Sequence, residues 1–138
     1  MQGLHLTADL RGCAPTLPAM TEPQVLRAAC RAAVEAAGLR AVGEVFHQFE
    51  PLPDGQHAPG ITGVVLLAES HLAVHTWPEL GAVTVDVYVC NVGADHSARA
   101  EVVLGGLLQL FAPASVERHR LWRGALADSG AVARTQPA

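Results

Sequence analysis

The sequence predicts an α+β fold: a two-layer sandwich in which a largely antiparallel sheet carries its helices on one face. Three observations set this. Leu4–Leu10 and Val83–Cys90 alternate apolar and polar residues with the period of two that marks strands with one buried face. The predicted order of elements, β-α-β-β-β-β-α-β, has several links short enough for antiparallel neighbours. With 138 residues the chain can build one core but not two. The domain is expected over 1–123, with the small, polar stretch 124–138 as a flexible tail.

The first strand, Leu4–Leu10, sets Leu4, Leu6 and Ala8 against His5, Thr7 and Asp9. Gly12–Pro18, with one glycine and two prolines, breaks it. Thr21-Glu22-Pro23-Gln24 reads as a helix start, with Thr21 as N-cap, Gln24 completing a capping box and Pro23 in the first turn. The helix continues through Val25–Ala37, with Val25, Leu26, Ala29, Ala33 and Ala37 near one face, and stops at Gly38. Ala41–Phe49 is the second strand. Glu50–Gly60 holds three prolines and two glycines and is a loop. Ile61–Ala68, a β-branched and leucine run, reads as an interior strand. His71–Thr76 alternates again, with His71, Ala73 and His75 facing one way and Leu72 and Val74 the other. Trp77–Gly81 is a turn. Val83–Cys90 then sets four valines on one face and Thr84, Asp86, Tyr88 and Cys90 on the other. Asn91–Asp95 turns into a second helix, Ser97–Phe111, whose Gly105-Gly106 pair implies close packing against the sheet. Ser115–Trp122 is the last strand.

Composition excludes several classes. No apolar run approaches the roughly 18 residues of a membrane span, and the N-terminus lacks the basic start and apolar core of a signal peptide. Net charge is −4 without a basic cluster, which argues against nucleic acid as a partner. Three cysteines, Cys13, Cys30 and Cys90, without a CxxC spacing fit reduced thiols in a cytoplasmic protein.

Chemistry concentrates in Glu69–Cys90, ESHLAVHTWPELGAVTVDVYVC, where polar and nucleophilic groups interrupt a run that otherwise reads as buried β-structure. An unpaired buried polar group costs roughly 1–3 kcal/mol, so these need partners or a function. Glu69-Ser70 alone could be a polar hairpin tip. It could also be a self-cleaving junction: the Ser70 hydroxyl attacks the Glu69 carbonyl, and elimination leaves a pyruvoyl group. That chemistry needs a strained peptide and a nearby acid-base group, for which His71 and His75 are the available imidazoles. Strict alternation puts Ser70 and His75 on opposite faces, so their cooperation requires a bend or bulge near Ser70. Cys90 reads either as a small buried hydrophobe or as a proton donor. A metal site from His47, His71 and His75 lacks supporting carboxylate spacing, and no metal is expected.

His71-Leu-Ala-Val-His75-Thr-Trp-Pro-Glu79, preceded by Glu69-Ser70 and followed by Asp86-Val-Tyr-Val-Cys90, resembles the signature of the prokaryotic S-adenosylmethionine decarboxylases, which are pyruvoyl enzymes serving spermidine synthesis. His5-Leu-Thr-Ala-Asp9-Leu-Arg-Gly-Cys13 and Phe46-His-Gln-Phe49 resemble that family's first and second strands. The resemblance implies cleavage into chains 1–69 and 70–138, with Ser70 as precursor of the covalent pyruvoyl cofactor and of its Schiff base with substrate. It implies His75 as the processing acid-base, Cys90 as proton donor, Phe49 stacked on the adenine and Glu79 on the ribose hydroxyls. His71 and Thr62 would support the site. It also implies a homodimer with sheets face to face, α-β-β-α, a packing that the valine-rich faces would suit. Three positions depart from the family pattern: Thr62 stands for its usual serine, Cys90-Asn91 for its Cys-Gly, and Glu50–Gly60 for a shorter loop. They leave open a basic amino acid, arginine or ornithine, as substrate, or an unprocessed paralogue that only binds a ligand or modulates a partner.

Overall fold

A computed structural model of the chain describes residues 1–124 and the backbone of 135–137. Seven strands form one sheet: β1 (Gly3–Arg11), β2 (Ala41–Gln48), β3 (Ile61–Leu67), β4 (Ser70–Trp77), β5 (Ala82–Cys90), β6 (Ser115–Arg123) and β7 (Thr135–Pro137). Their order is β2-β3-β4-β5-β1-β6-β7, and every pairing is antiparallel. Helices α1 (Pro18–Thr21), α2 (Pro23–Ala36) and α3 (Ser97–Phe111) complete the described elements, with a 3₁₀ turn at Pro78–Leu80. The α+β sandwich expected from the alternation is the fold observed. Most of the expected tail lies outside the described residues, while Thr135–Pro137 pairs with β6 at the sheet edge.

Alternation decides what each face buries. Leu4, Leu6, Ala8 and Leu10 of β1, Leu72 and Val74 of β4 and all four valines of β5 are at most 3% exposed. They join Leu26, Cys30 and Val34 of α2 and Leu104, Leu107 and Phe111 of α3 in one core. The valine face is therefore covered by the protein's own helices, which corrects the expectation that it serves sheet-to-sheet packing. The other face has no helix over it among the described residues and carries His5, Thr62, His71, His75, Thr84, Asp86 and Tyr88, all half-buried.

Three local expectations also change. Thr21 does not cap α2: it ends the separate turn begun at Pro18, Glu22 is the N-cap, and no side chain caps that helix. The inner stripe of α2 is Leu26, Cys30 and Val34, one turn apart, so Val25 points outward and is exposed. The glycine pair of α3 does not meet the sheet. A Cβ at Gly106 would lie 3.4 Å from Cβ of Ala33 on α2, and one at Gly105 would face open space.

One buried hydroxyl ties the layers together. Thr76 Oγ1 donates to the Met20 carbonyl of α1 at 2.7 Å and accepts from the Ile61 N–H of β3 at 2.9 Å, with the residue fully buried. Thr76→Val keeps the shape but leaves a buried carbonyl and N–H unpaired. Each costs about 1–3 kcal/mol, so a loss of about 2–4 kcal/mol is expected in denaturant unfolding at unchanged m.

Candidate active site

The β3–β4 hairpin turns on Ala68 and Glu69, with Leu67 paired to Ser70 across it. Glu69 has φ 57°, the left-handed region. Turn positions of this kind favour Gly, Asn or Asp, and a longer side chain there costs on the order of 1 kcal/mol. Glu69 is thus a strained residue directly before a serine. Ser70 is not the hairpin tip; it opens β4. Its Oγ accepts the backbone N–H of Cys90 at 3.0 Å, which fixes the hydroxyl beside the end of β5. Cys90 itself is buried, and its thiol donates to Met1 Sδ at 3.8 Å.

Beyond Ser70 the open face gathers a polar network that register brings together. His5 of β1 and His71 of β4 both flank Tyr88 of β5, and the three rings lie 5.7–5.9 Å apart. His5 Nε2 lies 3.0 Å from Asp86 Oδ2, and His71 Nε2 approaches the same oxygen at 3.8 Å. Hydrogen bonding by His5, with charge from His71 and His75, lowers the pKa of the Asp86 carboxyl against the opposing effect of burial. Arg123, the last residue of β6, points Nη1 at His5 Nδ1 at 3.1 Å and lies over the Tyr88 ring at 5.3 Å. That donor requires an unprotonated Nδ1, so Nε2 carries the proton toward Asp86. The ligand atoms of His5, His71 and Asp86 lie within 4.8 Å of one another, a spacing a metal ion could use. Arg123 and the His5–Asp86 hydrogen bond already engage both nitrogens of His5.

The remaining expected residues sit at the other end of the sheet. Thr62 Oγ1 and His75 Nδ1 are 3.1 Å apart, a registered pair between β3 and β4. The His75 ring lies 5.9 Å from that of Trp77, and Glu79 follows in the 3₁₀ turn. Phe49 falls one residue past β2, where its N–H bonds to the Gly60 carbonyl. The ladder with β3 runs without a slip from Ser70 to His75 and that with β5 from His71 to Trp77, so the bulge expected near Ser70 is absent. Five residues of strand, at about 3.3 Å each, separate Ser70 from His75 by roughly 17 Å. Glu69, Ser70, His71 and Cys90 therefore form one group; Phe49, Thr62, His75 and Glu79 form another. His47, which neighbours Thr62 on β2, is likewise not joined to His71.

The model of the family described as S-adenosylmethionine decarboxylase matches residues 4–124. The chain belongs to the S-adenosylmethionine decarboxylase family. The S-adenosylmethionine decarboxylase proenzyme of Archaeoglobus fulgidus is 37% identical over 122 residues, covering 88% of this chain and 97% of that protein. The proenzyme from Hydrogenobaculum sp. is 35% identical over 127 residues, covering 92% and 85%. The crystal structure of adenosylmethionine decarboxylase from Aquifex aeolicus VF5 is similar with a TM-score of 0.77 at 32% identity, over 92% of this chain and 94% of that one. The Trypanosoma brucei AdoMetDC-delta26 monomer shares the fold at TM-score 0.55 and 14% identity, over 86% and 45%.

Within this S-adenosylmethionine decarboxylase fold, sequence reasoning assigned no role to His5, Asp86, Tyr88 and Arg123 around Ser70. The first three carried a signal, since alternation placed them on the polar faces of their strands. Arg123 carried none: its place follows from the long-range register of Gly3 with Arg123.

Proposed function

We propose that this chain is a proenzyme that cuts itself between Glu69 and Ser70 and then decarboxylates S-adenosylmethionine. The observation that carries this reading is the left-handed backbone of Glu69 immediately before a serine whose hydroxyl is held in place. Attack of Ser70 Oγ on the Glu69 carbonyl breaks the peptide C–N bond and forms an ester, releasing the strained turn. Loss of the Ser70 α-proton then breaks the Cβ–Oγ bond and frees Glu69 as a carboxylate. Water adds to the resulting enamine–imine and ammonia leaves, so that Ser70 becomes a pyruvoyl group at the head of chain 70–138. That group supplies a ketone that captures the substrate amine and draws electrons as CO₂ departs. Cys90, beside Ser70, is the proton donor to the α-carbon, and the open cleft of about 690 Å³ over Ser70 and His71 admits the substrate.

Processing needs an acid-base group, and His75 of the same protomer is too far away. A homodimer with open faces stacked about a two-fold axis across the strands would bring one protomer's Thr62–His75 pair to its partner's Ser70. Phe49 and Glu79, which share that end of the sheet, would then hold adenine and ribose over the same junction. Half-buried polar side chains, rather than the β5 valines, would form this interface, together with the exposed Val45 and Leu66. Thr62 in place of serine keeps the hydroxyl that faces His75 Nδ1.

Intact mass and CO₂ release test the reading. Purified protein should resolve into two fragments, residues 1–69 and 70–138. It should release CO₂ from S-adenosylmethionine but not from arginine or ornithine. A whole chain with no hydroxylamine-reactive carbonyl would leave only a binding protein, and release from a basic amino acid would change the substrate.

A further inference from the structure

Arg123 is the one arginine or lysine among the described residues lining the cleft that opens beside Ser70. Its guanidinium is held twice, by Nη1 donation to His5 Nδ1 at 3.1 Å and by the Tyr88 ring at 5.3 Å. His5 is braced in turn by Asp86 at 3.0 Å. A guanidinium has five N–H donors, and among the described residues this one uses a single donor. Among the described residues it has no carboxylate partner, whereas Arg118 and Arg120 of the same strand both pair with Glu101. Val64, Leu66 and Ala73 supply the apolar part of the cleft wall, and Ser70, His71 and Tyr88 its polar part.

We propose that Arg123 receives the α-carboxylate of the substrate and thereby separates substrate from product. The inference rests on the decarboxylase reading above. A carboxylate on a guanidinium fork is held in plane by two parallel hydrogen bonds. This fixes the Cα–carboxyl bond relative to the ketone formed at Ser70, a few bonds away. When that bond breaks, its electron pair moves into the ketone-derived sink and CO₂ leaves neutral. The contact is lost, and the product amine keeps only its nucleoside contacts. Arg123 is thus a specificity-determining residue that favours substrate over product. The rival role, holding the Glu69 carboxylate freed by self-cleavage, predicts no discrimination between substrate and product.

The test compares the two ligands on cleaved enzyme. Wild-type turnover of S-adenosylmethionine comes first, because its absence would sink the decarboxylase reading rather than this role. Arg123→Met should then raise KM for S-adenosylmethionine at least tenfold, with the inhibition constant of decarboxylated S-adenosylmethionine changed less than twofold. Arg123→Lys should recover part of the loss, since a point charge replaces the fork. Equal weakening of both ligands, or of neither, overturns the role. Should Arg123→Met fail to fold or cleave, wild-type enzyme is offered the methyl ester of S-adenosylmethionine, which lacks the anion. Binding of the ester at least tenfold weaker than the KM of the acid sustains the proposal, and weakening of less than tenfold overturns it.

Discussion

Ser70→Ala is expected to leave a single uncut chain of 14.4 kDa and to reduce decarboxylation to background, a loss of about 10³-fold or more. The variant removes the oxygen that attacks the Glu69 carbonyl and whose bond to Cβ breaks in the elimination. It should not unfold the protein. The lost partner is the Cys90 N–H at the end of a strand, worth about 1 kcal/mol, and the β3–β4 hairpin keeps its register through its other pairs. Intact mass separates cleavage from stability, and hydroxylamine labelling reports the carbonyl independently. A Ser70→Ala chain that is still cut at this junction, or that still turns over substrate, would place the catalyst elsewhere.

Much of this site was legible because strand periodicity is a local property. ESHLAVHTWPE could be placed at a hairpin, and Asp86, Tyr88 and Cys90 on the polar face of β5, from alternation alone. Alternation says that two faces differ; it does not say which one the helices take. Leu26, Cys30 and Val34 of α2 decide that, by filling the layer over the valines. Thr21 looked like a cap because Glu22-Pro23-Gln24 follows it, but the proline at residue 18 starts an earlier turn and Thr21 closes it. Its carbonyl instead accepts from Gln48 Nε2 at 2.6 Å. The expected bulge at Ser70 came from asking one protomer to hold the whole site. Regular ladders with no slip show that the strand makes no such bend. The link between Arg123 and the junction was out of reach of any local pattern, since β6 meets β1 across more than a hundred residues of chain.

The separation of Ser70 from His75 leads to the second large effect. If one protomer's His75 serves its partner's junction, two inactive variants should rescue each other. Alone, His75→Ala lacks the acid-base group at both junctions of its dimer and should cut at least about a hundredfold slower than wild type, the usual worth of such a group. Alone, Ser70→Ala cannot cut at all. In a heterodimer, the His75→Ala chain offers an intact Ser70 to the intact His75 of the Ser70→Ala chain, and that junction is complete. Random pairing of equal pools makes about half the dimers mixed, each with one competent junction, so about a quarter of all chains should be cut. Every cut chain should carry the His75→Ala substitution, which mass spectrometry of the fragments reads directly. No stepwise repair within one chain can produce that pattern. Mixed dimers that stay whole, or His75→Ala homodimers that cut at the wild-type rate, would return the processing base to the protomer that is cut, or to another residue.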